Sequence, residues 1–447
     1  MRRLILAAAV IAAPAAAQTR EAWQPPTLTT TRYDEDWSNL ANAPGGETRW
    51  TEPFKYIPLD ANVYLTTGIE IRARSESYRS PSWGAERDDG YLWLRTMPYA
   101  DLHAGPMRAF VQPIAAYAIG VAPAAGPIDQ TRIDMMQAFA DVRLGPVTLR
   151  AGRQMLSLGS ERLIGTRYGP NVPLAFDGFR ALATIGPARV SLIAVRPVTP
   201  GPASFDDRRA KTRSLTGIYA AFPGIDLYHL DYRNHAARYA GQIGRERRHS
   251  LGARLHGSRH DWRWNIEAVA QFGRFGGQHS RAWTIAVEGG KSWPAAPLAP
   301  EATLRLNVVS GDRTAGDRTL GAFNALFPKG KYFGELSPIG PSNIVSANPH
   351  VGLSLGNGLS AGFSAMVYWR YAAADGVYAI PGNLIRPAGG SSARFIGKEM
   401  EATVAWQATP ELELSASLSA FAAGRFLRDT GAARTIGMLC LESNFRF

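Results

Sequence analysis

The chain has 447 residues and a formal net charge of +12, and 43 of its 49 basic residues are Arg. Its only cysteine, Cys440, excludes an intramolecular disulfide framework and reads most simply as a small strand filler. No segment supplies the roughly 20 uninterrupted apolar residues of a membrane helix, so a membrane span would have to be a closed barrel; a soluble periplasmic β-protein is the alternative.

In chain order, Met1-Arg2-Arg3 is a basic start, Leu4 to Ala13 is apolar, and Ala15-Ala16-Ala17 precedes Gln18. This pattern predicts a secretory signal peptide over residues 1–17. Export follows from it, and loss of Arg2 and Arg3 lowers the charge from +12 to +10. Residues 18–62 do not alternate and are rich in Pro and Trp, with Trp23, Pro25-Pro26, Trp37, Pro44, Trp50, Pro53 and Pro58. They read as an irregular N-terminal segment, packed in a barrel or along its periplasmic end.

From Val63 to Phe447 the pattern changes to repeated two-residue alternation, cut by Gly, Pro, Asn and Asp. Val63, Leu65, Ile69 and Ile71 alternate with Glu70, Arg72, Arg74 and Glu76. Leu92, Leu94, Ala100 and Leu102 oppose Arg95, Asp101 and His103, and Val111 and Ile119 oppose Arg108 and Gln112. Further on, Trp262, Trp264, Ile266 and Ala268 oppose Arg263, Asn265 and Glu267, and Leu304 and Leu306 oppose Arg305. A period of two marks strands with one apolar and one wet face. About 18 such segments, at roughly ten residues per membrane strand, predict an all-β, antiparallel transmembrane barrel. Aromatic groups at Tyr91 and Trp93, Tyr228 and Tyr232, Trp262 and Trp264, and Tyr368, Trp369 and Tyr371 are expected to form girdles at the lipid boundaries. The Pro- and Gly-rich stretches 197–209, 311–349 and 373–393 read as long loops, outside the barrel or folded inward.

The chain closes on Leu439-Cys-Leu-Glu-Ser-Asn-Phe-Arg-Phe447. Leu439, Leu441, Phe445 and Phe447 should face lipid, with Phe447 at the periplasmic boundary. Cys440, Glu442, Asn444 and Arg446 should face the lumen. A terminal strand ending on Phe resembles the closing strand of bacterial outer-membrane barrels, where it also serves as a signal to the barrel assembly machinery.

Several blocks resemble the alginate export family of outer-membrane proteins. They are Arg32-Tyr-Asp-Glu-Asp-Trp37, Lys55-Tyr-Ile-Pro-Leu59, Leu149-Arg-Ala-Gly-Arg-Gln154, Leu158-Gly-Ser-Glu-Arg-Leu163, Gly169-Pro-Asn-Val172, Phe176-Asp-Gly178, Ser310-Gly-Asp-Arg313 and Ala322 to Phe333. The resemblance implies an 18-stranded barrel with an electropositive lumen that passes an anionic uronic-acid polysaccharide. Met155-Leu156 stands where the alginate exporter has a run of charge, so the resemblance carries the fold further than the substrate.

For a pore, function means selectivity, and rings of Arg or Lys at a constriction favour anions. The candidate pathway residues on the polar faces are Arg72, Arg74, Arg95, Arg108, Arg150, Arg180, Arg254, Arg263, Arg305 and Arg370. Glu70, Glu76, Asp101, Asp141 and Glu267 are expected as acidic partners. Arg150 is the first choice for selectivity, with a structural ion pair as the competing role. A GC-rich codon bias explains the Arg excess equally well, and salt bridges filling a partly plugged lumen are the plain alternative for any single arginine.

Asp312, Arg313, Asp317 and Arg318 lack the carboxylate count of a hard-cation site. Lys329-Gly-Lys331 reads as a basic loop that meets anionic substrate or lipopolysaccharide phosphates. No zinc-ligand helix, nucleophile elbow or phosphate loop is present. The sequence therefore points to a channel for anionic saccharides or small carboxylates, with no enzyme activity, cofactor, metal or nucleic-acid partner, set among outer-membrane lipid and lipopolysaccharide. A plugged barrel with a structural or adhesion role is the alternative, and an outer-membrane enzyme a more distant one.

Overall fold

The computed structural model describes residues 24–42, 49–239, 242–314, 316–380 and 382–447. The expected signal peptide lies outside these residues. Eighteen strands form one antiparallel sheet among the described residues, from Val63–Arg79 to Ile436–Arg446. Each pairs with the next in sequence, and the last pairs with the first, from Glu70 opposite Arg446 to Arg79 opposite Gly437. The sheet is therefore closed, which leaves no unpaired edge to lipid.

Alternation along each strand sorts the side chains. On Val63–Arg79, Glu70, Arg72, Arg74 and Glu76 are buried inside, while Ile71 is 45% exposed on the outer wall. Leu439 and Leu441 are outward and exposed, and Cys440 and Asn444 are buried on the inner face. Phe445 and Phe447 differ from expectation in their surroundings. Both pack against Trp50, and Phe447 also packs against Phe54, so the N-terminal segment covers the terminal ring.

Part of the expected aromatic girdle lies inside instead. Trp93, Tyr228, Tyr232 and Tyr368 are buried, and Tyr91 bonds the inner Glu76. The reason is parity: each of these rings stands in step with inward charges such as Arg95, Asp226 and Arg370. Trp262 and Trp264 do stand on the outer wall, and Lys291 lies 5.2 Å over the Trp262 ring.

The two ends of the barrel differ. The first barrel strand starts, at Val63, and the last one finishes at the end with tight turns, where Gly105, Gly145 and Gly186 take φ of +58°, +60° and +56°. Long loops leave the other end, over residues 156–174, 200–212, 310–343 and 371–394. Residues 344–349, expected in a loop, instead begin the strand Ile344–Gly356.

Two of these loops fold into the lumen and join there. Phe327 donates its backbone N–H to Leu163 at 2.8 Å, Gly165 returns one to Phe327 at 2.8 Å, and Lys329 bonds Glu161 at 2.9 Å. Their apolar residues, including Leu158, Ile164, Phe323, Phe327 and Leu336, pack against inward strand residues such as Phe176 and Tyr368.

Candidate functional site

The lumen is built in tiers. At the tight-turn end, Thr31 to Tyr33, Glu35, Trp37 and Lys55 of the N-terminal segment are buried in the barrel. Tyr33 packs edge-on against Phe139 and Phe110 at ring separations of 5.2 and 6.0 Å. Arg32 pairs with Glu35 at 2.9 Å and donates to the Phe447 carbonyl at 2.7 Å. Lys55 donates to the Tyr99 hydroxyl at 2.8 Å and the Thr67 carbonyl at 2.9 Å. A Cβ on Gly68 would collide with the Phe447 carbonyl and the Lys55 ammonium, so glycine lets both approach. Burial, then the nearby Arg32 charge, brings the Lys55 pKa down to about 7.

The sequence-predicted arginines all stand on the inner wall, and most are already paired. Arg108 holds Asp101 with two bonds of 2.8 and 2.7 Å and also donates to the Tyr33 carbonyl. Arg150 holds Asp141 with two bonds of 2.8 Å, and its guanidinium lies over the Phe139 and Tyr33 rings at 3.8 and 4.3 Å. The charge of Arg150 is thus neutralised where it sits, and the side chain fastens the N-terminal segment to the wall.

Higher up, Arg95 pairs with Glu70 at 2.6 Å and, with Arg72, donates to the Tyr168 and Pro170 carbonyls. Arg74 joins Glu76, Glu442 and Glu335. Across the lumen, Arg254 pairs with Asp226 at 2.8 Å, Arg305 with Glu288 at 2.7 Å and Arg263 with Glu301 at 2.9 Å. Glu267 accepts from Tyr228 at 2.7 Å and Arg162 at 3.3 Å. Arg370 has a different role: it bonds the Ala373, Asp375, Ser391 and Ala393 carbonyls and stacks 3.9 Å from Phe426, clamping the 371–394 loop. Arg180 donates to the Ser191 hydroxyl at 3.1 Å and lies beside the Tyr33 hydroxyl, with no carboxylate within ion-pair distance among the described residues.

Arg162, which the sequence did not single out, lies on one inward loop, and Lys329 of the expected Lys329-Gly-Lys331 basic loop lies on the other. Arg162 donates to Tyr332 at 2.6 Å and Asn307 at 2.9 Å, so it ties both loops to the wall. Lys329 lies beside Arg305 and Arg162, and no carboxylate stands within ion-pair distance of it among the described residues. Burial, then those two guanidinium charges, brings its pKa down to about 8. Arg167 and Arg213 line a further polar cavity of about 260 Å³ with Tyr232 and Phe327. Both Arg162 and Lys329 fall in blocks that resembled the alginate export family, which was the available signal.

Acidic groups balance part of this charge. Glu335 pairs with Lys331 and Arg74, its backbone N–H bonds Glu401 at 2.6 Å, and Tyr368 donates to Glu399 at 3.3 Å. Glu335 itself is held below the usual carboxylate range: Lys331 and Arg74 outweigh its burial. Asp134, Asp206 and Asp207 form the one acidic cluster among the described residues with metal-ligand spacing, and Arg153 already contacts Asp134 at 3.4 Å.

A closed 18-strand barrel with a charged lumen and inward loops is an outer-membrane channel protein of the bacterial type. The alginate export family model matches residues 63–436, and the chain belongs to that family. Among curated proteins none matches it. Its fold is similar to Acinetobacter baumannii OccAB1, at 12% identity and a TM-score of 0.57, covering 86% of this chain and 96% of the other. It is similar to Pseudomonas aeruginosa OccK2 (OpdF) in complex with glucuronate, at 13% identity and TM-score 0.57, covering 86% and 98%. It is also similar to Pseudomonas aeruginosa OpdK with vanillate, at 11% identity and TM-score 0.57, covering 85% and 98%.

Proposed function

We propose that the channel passes small anionic saccharides or other carboxylates, drawn through the lumen past the inward loops by cations that lack a carboxylate of their own. The observation that carries this reading is Lys329 beside Arg162 and Arg305, with Arg180, which also has no carboxylate within ion-pair distance among the described residues, nearer the tight-turn end. Fixed cations in a low-dielectric wall raise the local concentration of anions and favour their passage. The paired carboxylates around them keep the field graded, so an anion can leave as well as enter. Glucuronate and vanillate, the compounds named with two of the similar barrels, are both carboxylates.

The signal peptide over 1–17, delivery by the assembly machinery and the anionic cargo belong to the same proposal. Flux into proteoliposomes tests the cargo. Glucuronate should enter faster than glucose, which is of similar size and neutral; equal rates, or a preference for glucose, would contradict it. The plugged-barrel reading has one observation in its favour, the loop pair sewn together by Phe327 and Gly165, and it predicts no flux of either sugar.

A further inference from the structure

The outer wall carries charge where lipid should meet it. On four consecutive strands, Arg233 stands opposite Arg247, Arg247 opposite Arg274, and Arg274 opposite His279. All four are exposed. Like charges directly opposite in a sheet repel. Among the described residues the one relieving carboxylate is Asp231, which both Arg233 and Arg247 contact at 3.1 Å. No carboxylate lies within ion-pair distance of Arg274 among the described residues.

The height of this row is informative. On one strand, the run from the outward Trp264 to Arg274 spans about 25 Å at ~3.3 Å per residue and ~40° of tilt, which equals the apolar belt of an outer-membrane barrel. The tryptophan end lies at the tight turns, so the arginines sit at headgroup level on the long-loop side. The wall directly below the row is apolar. It holds a groove of about 760 Å³, floored by Gly252, Ala253, Ala268 and Ala270 and walled by Leu227 and Trp283. At its upper end the His249 ring stacks on His229 at 5.4 Å and on Phe272 at 5.2 Å.

We infer that this face is a specific docking site for a phosphorylated outer-leaflet glycolipid of the lipid A type. Its phosphate would bridge Arg247 and Arg274, and an acyl chain would lie in the groove. The argument is one of charge complementarity. Guanidinium forks match phosphate oxygens, and a bound phosphate removes the repulsion along the row. Small residues leave room for a chain that a flush Leu- or Phe-lined wall would refuse. The site is separate from the lumen and does not depend on the cargo of the channel.

Native mass spectrometry of the detergent-purified full chain with diphosphoryl lipid A tests the assignment. The wild type should retain one lipid, and Arg233→Ser/Arg247→Ser/Arg274→Ser should lower the retained fraction at least about tenfold. Arg259→Ser, exposed at the opposite end of the wall, should leave retention unchanged. Folding of each variant is read from heat-modifiable gel mobility. If the triple variant does not fold, Arg274→Ser alone, which breaks no ion pair, must still lower retention. Unchanged retention in the variants would overturn the assignment. So would equal retention of a phosphate-free lipid A analogue or of phosphatidylglycerol.

Discussion

Lys329 gives the sharpest prediction. Burial beside Arg305 and Arg162 lowers its pKa from 10.5 to about 8, so its charge is present below that pH and lost above it. An unperturbed lysine would stay charged to beyond about pH 10. With this midpoint, Lys329 is about 90% charged at pH 7 and about 10% charged at pH 9. One charge at ~8 Å from a passing ion contributes about 0.5–2 kcal/mol at effective dielectric constants between ~80 and ~20. Taking ~1 kcal/mol, the anion-to-cation permeability ratio should fall about fivefold between pH 7 and pH 9. The assay is the reversal potential in a planar bilayer under a salt gradient. Lys329→Gln should give the pH 9 ratio already at pH 7. Lys55 also titrates, near pH 7, but it is bound to Tyr99 and Thr67, and its step should survive in Lys329→Gln. A wild-type ratio that is flat from pH 7 to pH 9 would refute the reasoning, as would a step unchanged in the variant.

Three other variants probe different parts of the lumen. Arg162→Ala removes the bonds to Tyr332, Asn307 and Glu267, and a loss of ~2 kcal/mol should raise the population of separated loops about thirtyfold. Single-channel records should then show larger and more variable conductance; an unchanged distribution would speak against loop tethering. Arg150→Ala leaves Asp141 buried, with Arg108 still 3.9 Å away, so it should cost about 2–3 kcal/mol and lower the temperature of the gel-mobility shift. Its effect on selectivity should be smaller than that of Lys329→Gln, and the reverse order would return Arg150 to the pathway. Arg180→Ser breaks no ion pair and loses contacts to Ser191 and Tyr33, so stability should change by no more than ~1–2 kcal/mol while anion preference drops; a large stability loss with unchanged preference would contradict an open role.

Much of the barrel was legible because alternation is a local signal. Glu70, Arg72, Arg74 and Glu76 against Ile69 and Ile71 define two faces without any knowledge of partners, and the inward set follows. Aromatic residues were harder, since a ring suits both a lipid boundary and a lumen wall. Only counting parity from Arg95 or Arg370 places Trp93 and Tyr368 inside. The site itself was half visible. Strand arginines announce their direction, but pairing depends on strands far apart in sequence, as with Arg74 and Glu442. Loops carry no period at all. Nothing in Lys329-Gly-Lys331 tells that residues 327–329 run beside 161–165 inside the barrel, since that contact joins two loops more than a hundred residues apart. The strongest local hint for Arg150, its place in the Leu149-Arg-Ala-Gly-Arg-Gln154 block, marked a residue that fastens Tyr33 to the wall.

The central claim is an open, anion-favouring lumen, and the reversal potential of the purified wild-type barrel in a planar bilayer at pH 7 tests it most directly. Ohmic current with a reversal potential displaced toward the chloride equilibrium value is the predicted result. A folded barrel that never conducts, or one whose current reverses toward the potassium value, would contradict it.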